Sequence, residues 1–158
     1  MSLPTDLDQP RKVFTVEQAN AALPLVRAIT KDLVALSQEV IERRERLALL
    51  TARRGTAGKG DPYSEELSQI EEELEKDSQR LNTFVEELRD LGVEPKSGAE
   101  GLVDFPARMD GRLVYLCWKL GEPEVLYWHE LDEGFPGRHP LTAGTVADPS
   151  GGAGSDAL

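Results

Sequence analysis

The stretch VRAITKDLVALSQEVIERRERLALL, residues 26–50, carries Val26, Leu33, Val40 and Leu47 seven positions apart, with Ile29, Leu36 and Leu50 at the intermediate seam positions and Arg43 as the exception. A repeat of seven puts these side chains on one narrow stripe of an α-helix, a stripe that a second helix must cover. The cover lies further along the chain. Leu67, Leu74, Leu81 and Leu88 repeat the spacing, Ile70, Phe84 and Leu91 fill the positions between, and Asp77 is the exception. A short polar glycine-bearing segment, 55–61, joins the two, so the spacing predicts a long antiparallel, coiled-coil-like α-helical hairpin.

Its register follows from the same positions. If Val26 faces Leu91, then Leu33 faces Phe84, Leu36 faces Leu81 and Leu50 faces Leu67, and every apolar seam residue has an apolar partner. The flanks then offer opposite charges, Glu39 with Arg80, Arg46 with Glu73 and Arg44 with Glu71. Arg43 and Asp77 come within three residues of each other, about 4.5 Å along the axes. They are expected to pair, and a polar pair in an apolar seam costs stability while fixing register.

Working outward, Thr15 and Gln18 form a capping box with Phe14 as its staple, so the first helix should start at Val16. Pro24 removes a helical hydrogen bond and crowds the preceding turn, which predicts a break or a kink there. Arg53, Arg54 and Gly55 end the run, Asp61 before Pro62 caps the next helix, and Gly92 closes it in the left-handed conformation.

After residue 98 the apolar period changes from seven to two. Leu102–Met109, Arg112–Lys119 and 124–131 read as strands separated by Asp110-Gly111 and Gly121-Glu122, a three-stranded antiparallel meander. With two-residue turns, one face carries Val103, Phe105, Val114, Leu116, Trp118, Val125, Tyr127 and His129. The other carries Asp104, Leu113, Tyr115, Cys117, Leu126, Trp128 and Glu130. The expected fold class is therefore α+β: a single domain over 14–140, made of the hairpin with its N-terminal helix (14–92) and the meander and loop (98–140). A disordered leader (1–13) and tail (141–158) flank it. Both sheet faces hold apolar residues and need cover, from the helix near Val16 or from a second subunit, which predicts a two-fold dimer.

Composition narrows the partners. The chain has 158 residues, 29 acidic against 18 basic side chains and a net charge of −11, which disfavours a phosphate backbone as partner. The arginines at 43, 44, 46, 53 and 54 face the glutamates of the second helix, so an internal charge lattice accounts for them better than RNA does. The acidic second helix predicts a basic surface on any protein partner. One cysteine and no cleavable apolar leader make the cytoplasm the expected compartment, and no run is long enough to span a membrane.

Phe14-Thr15, Ala19-Asn20, Leu23-Pro24, Gly101 to Pro106, Leu116-Cys117-Trp118, Gly121-Glu122-Pro123, Trp128-His129-Glu130, Gly134-Phe135 and Gly137-Arg138 together resemble the bacterial domain of unknown function 2203 family. The likeness covers residues 14–140, densest in the last forty, and implies no activity.

The chemistry-bearing residues crowd into residues 101–140, which hold both histidines, both tryptophans and the one cysteine. His129, Glu122, Asp104 and Cys117 offer ligand types that suit a divalent metal, but the expected faces put Asp104 and Cys117 away from His129. A site of Glu122, His129 and Arg138, with Glu130 adjacent, would suit an anion or acid–base chemistry. Against it stand plainer roles: His129 hydrogen-bonded at a sheet margin, Arg138 paired with Asp132 or Glu133, and Cys117 a small inert hydrophobe. If His129 and Arg138 serve function alone, replacing either by Ala should leave thermal stability nearly unchanged. The leading functional reading is a protein–protein interaction or structural protein built on the hairpin, with no cofactor; the rival is a small metal-binding protein or enzyme using His129, Glu122, Glu130 and Arg138.

Overall fold

The computed structural model describes residues 12–54 and 62–142. Most of the expected leader, the joining segment with its Asp61 cap and most of the expected tail lie outside those residues. Two helices, α1 (Val16–Arg54) and α2 (Pro62–Asp90), precede five strands, β1 (Glu94–Ser97), β2 (Leu102–Met109), β3 (Arg112–Lys119), β4 (Tyr127–His129) and β5 (His139–Pro140), with a 3-10 turn over Phe135–Gly137. The strands form one antiparallel sheet in the order β1-β2-β3-β4-β5. The architecture is α+β, and the sheet has five strands where the sequence reading has three.

The local signals of the helices act as read. Thr15 Oγ1 accepts the Gln18 N–H and Gln18 Oε1 accepts the Thr15 N–H, each at 3.0 Å, and α1 starts at Val16. Gly92 sits at φ 91°, and the Val93 N–H reaches back to the Leu88 carbonyl, a six-to-one bond that closes α2. Pro24, however, neither ends α1 nor splits it: the helix runs on through it for 39 residues. Ala19, Leu23 and Val26 on either side of the proline are buried in the core, and this packing holds the helix together across it. Pro24 itself is exposed, where water can serve the carbonyl that it leaves unpaired.

The helices lie antiparallel. Val26, Leu33, Val40, Leu67 and Leu88 are buried, and Leu47, Leu74 and Leu81 are half-buried against the same apolar clusters. Leu33 and Phe84 belong to one cluster, and a shallow cleft between the helices is lined by Leu36, Phe84, Glu39 and Arg80. Arg43 and Asp77 pair as expected. The outer charges are arranged differently: Arg43 also reaches Glu73 at 3.4 Å, and Arg46 bonds Glu66 at 2.8 Å instead of Glu73. A long arginine side chain reaches about a turn along the axis, so seam alignment does not decide which flanking carboxylate it takes.

Asp110 and Gly111 both have positive φ (55° and 79°) and join Met109 to Arg112 in the tight turn that right-handed strand twist favours. Val103, Phe105, Ala107, Val114, Leu116 and Trp118 then share one face and pack on α1 and the end of α2. The connection after β3 departs from expectation. It is a seven-residue loop over 120–126, not a two-residue turn at Gly121-Glu122, and it shifts β4 by one position, so that Tyr115 lies opposite His129 and Cys117 opposite Tyr127. A one-residue slip turns every side chain of a strand to the other face. Tyr127 and His129 therefore lie on the face of Asp104, Tyr115 and Cys117, and Trp128 packs at the margin of the main core. The loop is held by the Trp118 indole N–H on the Glu122 carbonyl (3.0 Å), by Glu122 Oε1 accepting the Lys119 N–H (2.9 Å), and by Asn20 of α1 accepting the Val125 N–H (2.7 Å).

The second face is covered within the chain by the 3-10 turn and Arg138, not by the helix near Val16. Among the described residues, no helix is long and apolar enough to cross a membrane. Gly101, at φ 73°, packs its Cα against the β3–β4 loop, where an added Cβ would fall 2.7 Å from Leu120 Cβ. Gly101→Ala should lower stability by more than the roughly 1–2 kcal/mol of the left-handed conformation alone, read as a reduced urea midpoint at unchanged slope.

Candidate functional site

Three neighbouring strands each contribute one polar side chain to the covered face of the sheet. Asp104 of β2 and Cys117 of β3 are cross-strand partners, and His129 of β4, opposite Tyr115, lies diagonal to Cys117. The side-chain donor atoms of the three lie within 4.8 Å of one another. All three residues are buried, Asp104 to 1%, Cys117 to 2% and His129 to 2% exposure. The sequence reading, with His129 on the opposite face, keeps them apart; the extra residue in the 120–126 loop brings them together.

His129 Nε2 donates to both Asp104 carboxylate oxygens at 3.1 Å, and Nδ1 donates to the Glu130 carbonyl at 2.7 Å. Both partners are acceptors, so the ring satisfies them as an imidazolium. Burial alone would push the imidazole down. The hydrogen bond to Asp104, those to Cys117 and the Glu130 carbonyl, and the Asp104 charge outweigh it and raise the group from 6.5 to about 10. A histidine held charged in the fold but not in the unfolded chain adds stability that is full below pH 6.5 and is lost as the pH rises through about 10. In metal-free protein, the urea midpoint of the wild type should therefore fall toward that of His129→Gln between those two values. A constant gap between the two proteins would contradict the charged state.

Above this cluster lies a second pair. Arg138, carried on the loop after the 3-10 turn, forms a two-pronged ion pair with Glu122. Its guanidinium lies over the rings of Tyr127 and Phe135, 3.9 and 4.2 Å from their centroids, and 3.8 Å from Cys117 Sγ. Asp132 and Glu133 are thus not its partners; Glu133 takes the Glu130 N–H and lies 3.4 Å from His139.

The residues named from sequence fall into two units. Glu122 and Arg138 make one, His129 and Asp104 the other, and Cys117 touches both. Glu122, His129 and Arg138 do not converge as a trio. The Glu130 side chain leaves the site altogether to pair with Arg112, and only its carbonyl serves His129. His129 is no margin histidine and Cys117 no isolated hydrophobe, since the thiol sits beside a guanidinium and an imidazolium. Burial with a charged partner also reverses the expectation that His129→Ala leaves stability unchanged. Sequence reasoning assigned no role to Asn20 or Tyr127. Asn20 has no local signal, because its partner is 105 residues away.

Neither a curated protein nor a solved structure matches the chain. A family model does: residues 12–141 match the family described as "Uncharacterized conserved protein (DUF2203)", and the chain belongs to that family.

Proposed function

We propose that the chain is an interaction protein: a coiled-coil-like hairpin carried on a small α+β base, pairing with a second copy as a two-fold dimer in the reducing cytoplasm of a bacterial cell. The observation that carries this reading is the division of the apolar core. The sheet packs on the half of the hairpin near residues 19–33 and 81–88, while Leu50, Leu67 and Ile70, with Leu47 and Leu74, form a separate cluster between the helices alone. At 1.5 Å per residue α1 is about 58 Å long, far more than the sheet needs for cover. Its distal part keeps Ile41 and Leu49 exposed, at 44% and 56%, and Tyr63 of α2 at 38%.

Charge suggests the partner. Residues 23–54 hold seven basic and four acidic side chains, and residues 62–91 three and ten, for net charges of +3 and −7. In a two-fold arrangement with α1 of one copy beside α2 of the other, the basic surface that α2 calls for is supplied by the same chain. Light scattering should give about twice the chain mass of 17.4 kDa, and Ile41→Glu with Leu49→Glu, both at exposed sites, should return it to one chain. A single-chain mass for the wild type at high micromolar concentration overturns the dimer.

A further inference from the structure

We propose that Asp104, Cys117 and His129 are the protein ligands of a thiolate-accepting divalent transition-metal ion, with zinc the best match. This inference stands apart from the hairpin reading, since it concerns the opposite end of the molecule.

The first ground is proximity and kind. One carboxylate oxygen, one sulfur and one imidazole nitrogen, all within 4.8 Å of one another, make a mixed O, S, N set. Calcium and magnesium take oxygen ligands, whereas zinc accepts all three kinds. With bonds of about 2.0–2.3 Å, the ligand atoms of a tetrahedral zinc site stand about 3.3–3.8 Å apart. Nε2 and the Asp104 oxygens are at 3.1 Å already, so side-chain adjustments of under about 1 Å would admit the ion without moving a strand.

The second ground is independent of the spacing. A metal-binding histidine characteristically donates its other ring N–H to a carbonyl or carboxylate, which orients the ring and fixes the nitrogen that faces the ion. His129 is set in this way: Nδ1–H is held on the Glu130 carbonyl at 2.7 Å, and Nε2 is aimed at Asp104. The three ligands stand on three adjacent strands, the most rigid support this fold offers.

Ligands bind deprotonated, so entry of the ion releases protons. Arg138, 3.8 Å from Cys117 Sγ, remains neutralised by Glu122. Three protein ligands leave a fourth position, which zinc sites of this kind give to water or to a small bound molecule.

The test uses the full, untagged chain, stripped of metal and titrated with cobalt(II). One equivalent should produce a thiolate-to-cobalt charge-transfer band together with the visible bands of a tetrahedral ion, and zinc should abolish both. Cys117→Ala should remove the charge-transfer band, and His129→Gln should weaken cobalt binding at least tenfold. Because either variant can be destabilised, circular dichroism accompanies each, and a tenfold or greater loss in Asp104→Asn provides a further reading at near-constant side-chain volume. Absence of the bands in the wild type, or a charge-transfer band that persists in Cys117→Ala, overturns the proposal.

Discussion

Asp104→Ala should destabilise the metal-free protein by about 3–5 kcal/mol, the cost of leaving one member of a buried ion pair without its partner. The carboxylate is within 3.1 Å of His129 Nε2, and both side chains are almost wholly shielded from water. Without Asp104, His129 must either keep an uncompensated charge or lose a proton in a cavity that a water molecule fills only in part. His129→Ala should cost a similar amount for the converse reason, with Asp104 stranded. The paired replacement should cost less than the sum of the two, because each single change removes the same interaction. Urea unfolding monitored by tryptophan fluorescence at pH 6.5, the ordinary imidazole value, gives all three numbers. A loss below about 1 kcal/mol in Asp104→Ala would show that the pair is not the buried charge pair described here.

Arg43→Ala should be the most damaging single change in the distal hairpin. Asp77 has a side chain only 6% exposed, and beyond Arg43 its nearest basic group is Arg80 at 4.0 Å. The cost belongs at the lower end of the roughly 3–5 kcal/mol range for broken buried pairs, since Arg43 is itself about a third exposed and water screens part of the charge. Replacing both residues by Leu should instead be neutral or stabilising by about 1–4 kcal/mol, because an apolar pair continues the seam without desolvating ions. The same double variant tests what the pair is for. If it fixes register, paired cysteines placed to cross-link the native alignment should close less selectively in the Leu–Leu hairpin. A Leu–Leu variant less stable than Arg43→Ala would remove the polar pair from the list of stability costs.

How much of this was legible in the residues depends on the range over which each feature is decided. The capping box at Thr15, the left-handed Gly92, the Asp110-Gly111 turn and the two heptad runs are settled within a few residues of chain, by hydrogen bonds and sterics that the sequence states directly. The Arg43–Asp77 pair was legible too, because a regular helix converts residue number into distance. At Pro24 the break that the sequence allowed does not occur, since its local penalty is real but packing at Ala19, Leu23 and Val26 outweighs it. β1 and β5 gave no alternating apolar signal: β1 is four residues with a proline and a lysine, β5 is two residues, and both are added to the sheet by backbone pairing.

The site was half legible. Its residue types stood out as a crowded stretch, and Asp104, Cys117, Glu122, His129 and Arg138 were all singled out, but their grouping was not available. Sequence alone determined the helices, their antiparallel pairing, the first strand pair and the inventory of chemical groups, because each follows from local conformation or from strict periodicity. Tertiary structure alone decided which face His129 occupies. That choice turns on a single residue in the 120–126 loop, whose path is set by the Trp118 indole and by Asn20 of a helix a hundred residues earlier. In a strand of period two, such a one-residue difference separates a scattered set of side chains from a buried cluster.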